Sequence, residues 1–257
     1  MFYFLEKKTI STNGRRFVKE ISLTILVMIK ENIDCIKSNI DLIKKKENND
    51  VKLIAVSKTV DVDKIEKAID CGQLIFGENR VQEIVRKYDY FSNKREIEWH
   101  MIGYLQTNKV KQIIDKVSMI HSLDRIKLAK EIEKQAAKID RVIPCLIEVN
   151  VGEEDSKAGI SINEVIPFIE QLMQFEHIKI NGLMTVAPYN ENIEEIRWVF
   201  KSLKDLFNEI EEKNFENVEM KELSMGMSND YKIAIEEGST MVRVGTSIFG
   251  KRDYAIK

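Results

Sequence analysis

The stretch LIAVSKTV, residues 53–60, runs as a buried strand and then presents a lysine, Lys58. A free lysine amine has a pKa of about 10.4 and is a poor nucleophile at neutral pH. An apolar mouth lowers that value and frees the amine to form a Schiff base with an aldehyde. The same stretch also reads as a solvated lysine leaving a strand. Two further segments bear on the choice. SMGMSND at 224–230 puts small, hydroxyl and glycine residues directly before a helix, and VGTSIFG at 244–250 repeats the arrangement one strand later. Backbone amides at a helix start are unpaired and carry partial positive charge. Either turn alone is an ordinary cap. Together with a strand-end lysine they predict a site for a phosphorylated carbonyl compound, either a sugar phosphate or pyridoxal phosphate.

Such a site needs a frame that brings distant strand ends together. From Met28 onward strand-like and helix-like segments alternate. Ile29, Ile33, Ile36, Ile40 and Ile43 recur at spacings of 4 and 3, which stripes one helix face. Strands are predicted at VKLIAVS, LIF (74–76), IEWHMIG (97–103), SMIHSL, VIPCLIEVNV (142–151), IKINGLMTV, KELSMG and MVRVG (241–245). Between them lie helical stripes: Val81, Ile84, Val85 and Tyr88; Val110, Ile113, Ile114 and Val117; and Ile196 to Ile210. Gly72 closes the helix after the first strand. Ser161 and Glu164 form a capping-box pattern, and Asp124 stands as an N-cap before the helix that follows SMIHSL. About eight strands, all but the last followed by a helix, predict a single (β/α)8 barrel, with chemistry at the carboxyl ends of its strands. A doubly wound open sheet shares the local pattern, and the strand count favours the barrel.

The chain of 257 residues carries a net charge of −2, so nothing global recruits nucleic acid or an acidic membrane surface. Three scattered cysteines, Cys35, Cys71 and Cys145, form no metal-ligand spacing and suit a reducing cytoplasm. Residues 1–27 stand apart, with five basic side chains (Lys7, Lys8, Arg15, Arg16, Lys19) against Glu6 and Glu20. The apolar run ISLTILVMI at 21–29 is too short to span a bilayer. Residues 1–27 are read as an extension, or an over-long start, ahead of a 28–257 domain.

The motifs AVSKT, FGEN with VQE, WHMIGYLQTNKVK, HSLD, VNVGEEDSKAG, GLMTVAP, LSMGMSND and GSTMVRVGTSIFG follow one another in order from about Met28 to Arg252. This combination resembles the YggS/PROSC family, the pyridoxal phosphate homeostasis proteins. The resemblance implies a TIM barrel like the N-terminal domain of alanine racemase, with pyridoxal phosphate held as a Schiff base on Lys58. It implies that Asn79 lies near the cofactor. Ser228, Gly245 and Thr246 would hold the phosphate, together with the backbone at Gly226 and Met227. Arg243 would face the pyridine nitrogen, and His100 would line the mouth unless it is a structural hydrogen bonder. The family pattern SKTKP is not kept, since Val60 and Asp61 follow Thr59; that reshapes the first loop and leaves the lysine in place.

Other residues carry blander expectations. His121 and His177 are expected outside the chemistry, NKVKQIIDK as a solvated helix face, and Met225 and Met227 as site packing. Tyr104 and Tyr231 could each serve as a proton-transfer group, and the sequence orients neither.

Two classes of function follow. One is a protein that holds, buffers or delivers pyridoxal phosphate, to apo enzymes as transient recipients, with no dedicated substrate, no nucleic acid and no membrane. The other is a pyridoxal-phosphate enzyme such as an amino-acid racemase. Racemases of this fold complete the site with a β-rich second domain and a partner subunit. This chain ends soon after its eighth strand, which favours the first class and a monomer. A class I aldolase acting on a sugar phosphate remains only if the resemblance is set aside.

Overall fold

Eight short apolar segments pair side by side, and their order in the chain is their order in space. The structure, a computed structural model, describes residues 3–47, 50–92, 96–152, 154, 157–188, 190 and 192–250, with side chains of the first helix from residue 22 to 44. The charged side chains noted within residues 1–21, Glu153, Asp155 and Ser156 of VNVGEEDSKAG, and the end of the resemblance at Arg252 lie outside what is described.

The strands are β1 (Lys52–Val56), β2 (Ile75–Glu78), β3 (Glu98–Met101), β4 (Met119–Leu123), β5 (Ile143–Glu148), β6 (Ile178–Met184), β7 (Val218–Ser224) and β8 (Met241–Val244). All neighbours are parallel, and β8 pairs back onto β1 with Leu53 opposite Val242. The sheet is therefore a closed barrel, and the open-sheet alternative is excluded. Parallel strands need crossovers. These are α2 (Val62–Asp70), α3 (Val81–Phe91), α4 (Ile126–Ala137), α5 (Ile162–Leu172), α6 (Ile193–Lys213) and α7 (Tyr231–Glu236), with a one-turn α8 (Thr246–Phe249) after β8.

Two expected elements differ. Residues 107–112 form a 3-10 helix followed by turns, not an α-helix. Val110, Ile113, Ile114 and Val117 are all buried there, because steps of three also suit three residues per turn. The N-cap of α4 is Arg125; Asp124 instead pairs with the guanidinium of Arg125. The capping box at Ser161 and Glu164 is present, and Gly72 ends α2 at φ 77°.

The first helix, α1, runs Tyr3–Glu47 without a break at Met28. Its buried Ile29, Ile33, Ile36 and Ile40 pack with α2, α7, α8 and the outer face of β1 and β8. Burying four isoleucines contributes roughly 6–12 kcal/mol before entropy. Asn32 fastens the same face by donating to the Ile248 carbonyl at 2.9 Å.

Because strand side chains alternate, Ile54, Leu146, Met184 and Met241 fill the barrel interior while their neighbours face the helices. That packing closes the barrel below and leaves the strand ends above as the open face.

Candidate functional site

The apolar strand bodies end in a cavity of about 610 Å³ at the carboxyl face of the barrel. Of the nine residues singled out above, seven line it: Lys58, Asn79, Met227, Ser228, Arg243, Gly245 and Thr246. Lys58 lies two residues beyond β1 and is half-buried. The residue that follows it, Thr59, adopts φ 63°, so the chain turns sharply at the lysine.

The two glycine turns meet on one atom. Ser228 Oγ accepts from the backbone amides of Gly245 and Ser247, at 3.4 and 3.5 Å. Both contacts are longer than the usual N–H···O bond, so the two amides meet the hydroxyl only weakly. Gly226 does not line the cavity, but it shapes the turn. Its φ of 91° suits glycine, and a Cβ there would stand 2.5 Å from Ala234 Cβ. On the opposite wall a Cβ on Gly103 would strike the Asn79 backbone at 2.7 Å. That close approach holds Asn79 at the cavity edge.

Arg243 comes from β8 and is buried, with Nη1 donating to Ser224 Oγ at 2.6 Å and Nη2 to the Thr185 carbonyl at 2.8 Å. Burial lowers its pKa to about 10, against the pull of Glu148 and Asp230. It stays charged at neutral pH and can only donate. Glu148, at the end of β5, is pushed up to about 7 by burial and then by Asp124, and Arg243 and Arg125 oppose the rise. Its Oε2 is buried without a partner.

His100 lies in the barrel interior beneath the cavity rather than at its mouth. Its Nδ1 sits 2.9 Å from His121 Nε2, and His121 Nδ1 sits 3.0 Å from Ser224 Oγ. The geometry thus supports structural hydrogen bonding for His100 and puts His121 in the same chain. His177 sits before β6, against Glu133 and away from the cavity. Tyr231 accepts from Asn39 of α1 on the outer layer. Tyr104 stacks under Arg125 at 4.4 Å beside an adjoining cleft. Neither tyrosine lines the main cavity. Among the described residues no group of acidic, histidine and cysteine side chains could hold a metal.

Sequence reading missed the apolar wall, made by Val186, Ala187 and Pro188 after β6 with Ile193, Ile196 and Ile233. Apolar residues in a loop past a strand end, as in TVAP, were the available signal. Ser224 lies within SMGMSND, and nothing local in that segment points to its place between Arg243 and His121.

A phosphorylated aromatic aldehyde fits this arrangement. The cavity offers an amine at one side, convergent amides and hydroxyls at another, a fixed cationic donor in the floor and apolar walls for a ring.

Comparisons with known proteins agree. Residues 32–253 match the family described as alanine racemase, N-terminal domain. The chain is 47% identical over 206 residues to the pyridoxal phosphate homeostasis protein of Aquifex aeolicus, covering 80% of this chain and 89% of that one. PipY of Synechococcus elongatus PCC7942, solved with pyridoxal phosphate bound, superposes with a TM-score of 0.77 at 31% identity, over 86% of this chain and all of PipY. An alanine racemase of Clostridium difficile shares the fold alone, with a TM-score of 0.66 at 17% identity, over 86% of this chain and 58% of the racemase.

Proposed function

The chain belongs to the pyridoxal phosphate homeostasis protein (YggS/PROSC) family, built on an alanine racemase N-terminal domain, and on that premise we propose that it binds pyridoxal phosphate and buffers or delivers it within the cell. Lys58 holds the aldehyde carbon as a Schiff base. Ser228, Thr246 and the amides of Gly245 and Ser247 hold the phosphate, and Arg243 donates to the ring nitrogen. Asn79 and the apolar wall flank the ring. When bound, the cofactor supplies an electron sink; the protein's residues orient it and keep water from one face.

The observation that carries this reading is the convergence, in one cavity, of Lys58, Arg243 and the two turns bridged by Ser228. The buffering role extends to transient transfer to apo pyridoxal-phosphate enzymes, by a monomer working in the cytoplasm. Among the described residues no helix is long and apolar enough to cross a membrane.

The test is spectroscopic. Purified protein incubated with pyridoxal phosphate should develop a borohydride-reducible band, with the pyridoxyl mass on Lys58 after digestion. Lys58→Ala should fold and lack the band. A label on another lysine, or a band that survives in Lys58→Ala, would overturn the assignment.

A further inference from the structure

Lys58 is held from behind by charges that never reach the cavity. Strand alternation turns Ser57 toward the helix layer and Lys58 toward the barrel mouth. Every polar group of Ser57 is engaged. Its amide donates to the Gly77 carbonyl at 3.1 Å, and its carbonyl accepts from the Val60 amide at 2.9 Å. The same carbonyl accepts from Lys87 Nζ at 2.7 Å, and the Ser57 hydroxyl donates to Glu78 Oε1 at 2.6 Å. Lys87 Nζ closes the ring on Glu78 Oε1 at 2.6 Å and also pairs with Glu83 Oε2 at 2.9 Å. Ser57, Glu78 and Lys87 are each fully buried.

A buried ion pair is a poor way to stabilise a barrel. Desolvating both charges costs about as much as their attraction returns, and well-packed apolar residues often do as well or better. Lys87 occupies the buried stripe of α3 between Ile84 and Phe91, where an apolar residue would pack. What the pair adds is direction. Lys87 and Glu78 each hydrogen-bond the single residue before Lys58, and on the other side Thr59 is held at φ 63°. The backbone at Lys58 is thereby fixed from both flanks.

We propose that the buried Lys87–Glu78 pair is a positioning device that aims Lys58 at the carbonyl carbon of its ligand. The inference rests on the reading of Lys58 as the residue that takes the aldehyde. In that step the neutral Lys58 Nζ bonds to the aldehyde carbon, the carbon–oxygen double bond breaks, and the oxygen leaves as water with the two amine protons. Its rate depends on where Nζ stands. Binding of the phosphate and ring does not.

The experiment separates these two. Lys87→Met alone strands Glu78 as an unpaired buried charge, so the decisive variant is Lys87→Met/Glu78→Gln, which removes both charges of the pair, keeps an acceptor for the Ser57 hydroxyl and leaves Glu83 its partner Arg86. Two ligands are compared on full-length protein: pyridoxal 5′-phosphate, followed by its absorbance change, and pyridoxine 5′-phosphate, which has no aldehyde. The expected result is unchanged affinity for pyridoxine phosphate and capture of pyridoxal phosphate slowed by about ten- to a hundredfold, the scale set by a ~1 Å misplacement. Capture at the wild-type rate by the double variant, with the reduced label on Lys58, would overturn the proposal and leave the pair a role in the fold alone. Weakened pyridoxine phosphate binding in proportion to the slowed capture would overturn it too, as a general loss of the pocket. A wild-type label on another lysine would instead defeat the underlying reading of Lys58, and this inference with it.

Discussion

Arg243 donates to Ser224 Oγ through Nη1 at 2.6 Å, at one end of a chain of polar contacts that runs through His121 and His100. Arginine has no acceptor, and at the other end Glu98 Oε2 lies 3.6 Å from His100 Nε2 and can only accept when ionised. Between them Ser224 Oγ lies 3.0 Å from His121 Nδ1, and His121 Nε2 lies 2.9 Å from His100 Nδ1. A neutral His121 donates through one ring nitrogen and accepts at the other, which lets it join two neighbours.

Acid should break that chain. Burial, then the neighbouring His100 and Arg243, hold the His121 pKa well below 6.5. Below about pH 6.5 the unfolded chain binds a proton at this residue that the native state refuses. Stability is therefore fully present above that pH and lost as pH falls, by up to ~1.4 kcal/mol per pH unit. Denaturant melts of His121→Gln against pH should show a flatter acid limb. An acid limb equal to wild type would assign the loss to other groups.

Glu148 has the opposite sign. Its folded pKa, pushed up to about 7 from 4.5, means that the native state keeps a proton the unfolded chain releases. Its contribution is complete below about pH 4.5 and lost as pH rises through 7. Glu148→Gln should accordingly gain stability over wild type on the alkaline side, by ~3 kcal/mol at pH 8, and nothing near pH 4. Parallel curves for the two proteins across this range would refute it.

Phosphate retention should depend on both turns. Losing a hydrogen bond to a charged group costs ~1.5–3 kcal/mol. Ser228→Ala and Thr246→Ala should each weaken pyridoxal phosphate binding by about ten- to a hundredfold, read by equilibrium dialysis. Wild-type retention in both variants would move the phosphate elsewhere.

Proton exchange on amino acids should be slow. With Arg243 at the ring nitrogen, as proposed, a donor-only group would leave that nitrogen unprotonated and weaken the electron sink, and neither Tyr104 nor Tyr231 lines the cavity as a base. Loss of the α-proton signal of L-alanine in D2O, followed by NMR with stoichiometric protein, should stay below about 1 s⁻¹, the lower end of typical turnover. Faster exchange would promote the racemase reading.

Protein beginning at Met28 should fold and bind the cofactor. Among the described contacts ahead of that point, Ser22 accepts from Lys67 at 2.7 Å and Ile25 packs at the core edge. These two contribute about 1–3 kcal/mol. A collapse in melting temperature well beyond that would show α1 to be needed along its length.

What the amino-acid sequence determined by itself is what local periodicity encodes. The isoleucine stripe of α1, the eight strands and the capping box are each written within a dozen residues. Strand ends are local too, so Lys58 and the two glycine turns could be placed at one face before any contact was known. Tertiary structure decided the rest, because the remaining features join residues far apart in the chain. Pairing of β7 with β8 sets Arg243 beside Ser224, and only closure of β8 onto β1 brings Arg243 and Lys58 to one cavity. His100 reads equally as lining or as interior until β3 is laid beside β4, which turns it toward His121. Lys87 shows the limit best. The stripe read as Val81, Ile84, Val85 and Tyr88 omits it, since a lysine counts as polar, yet α3 buries Val81, Ile84, Lys87 and Phe91. A charge can occupy a core position only when partners from other elements meet it there, and Ser57 and Glu78 are brought to Lys87 by the packing of α3 against β1 and β2.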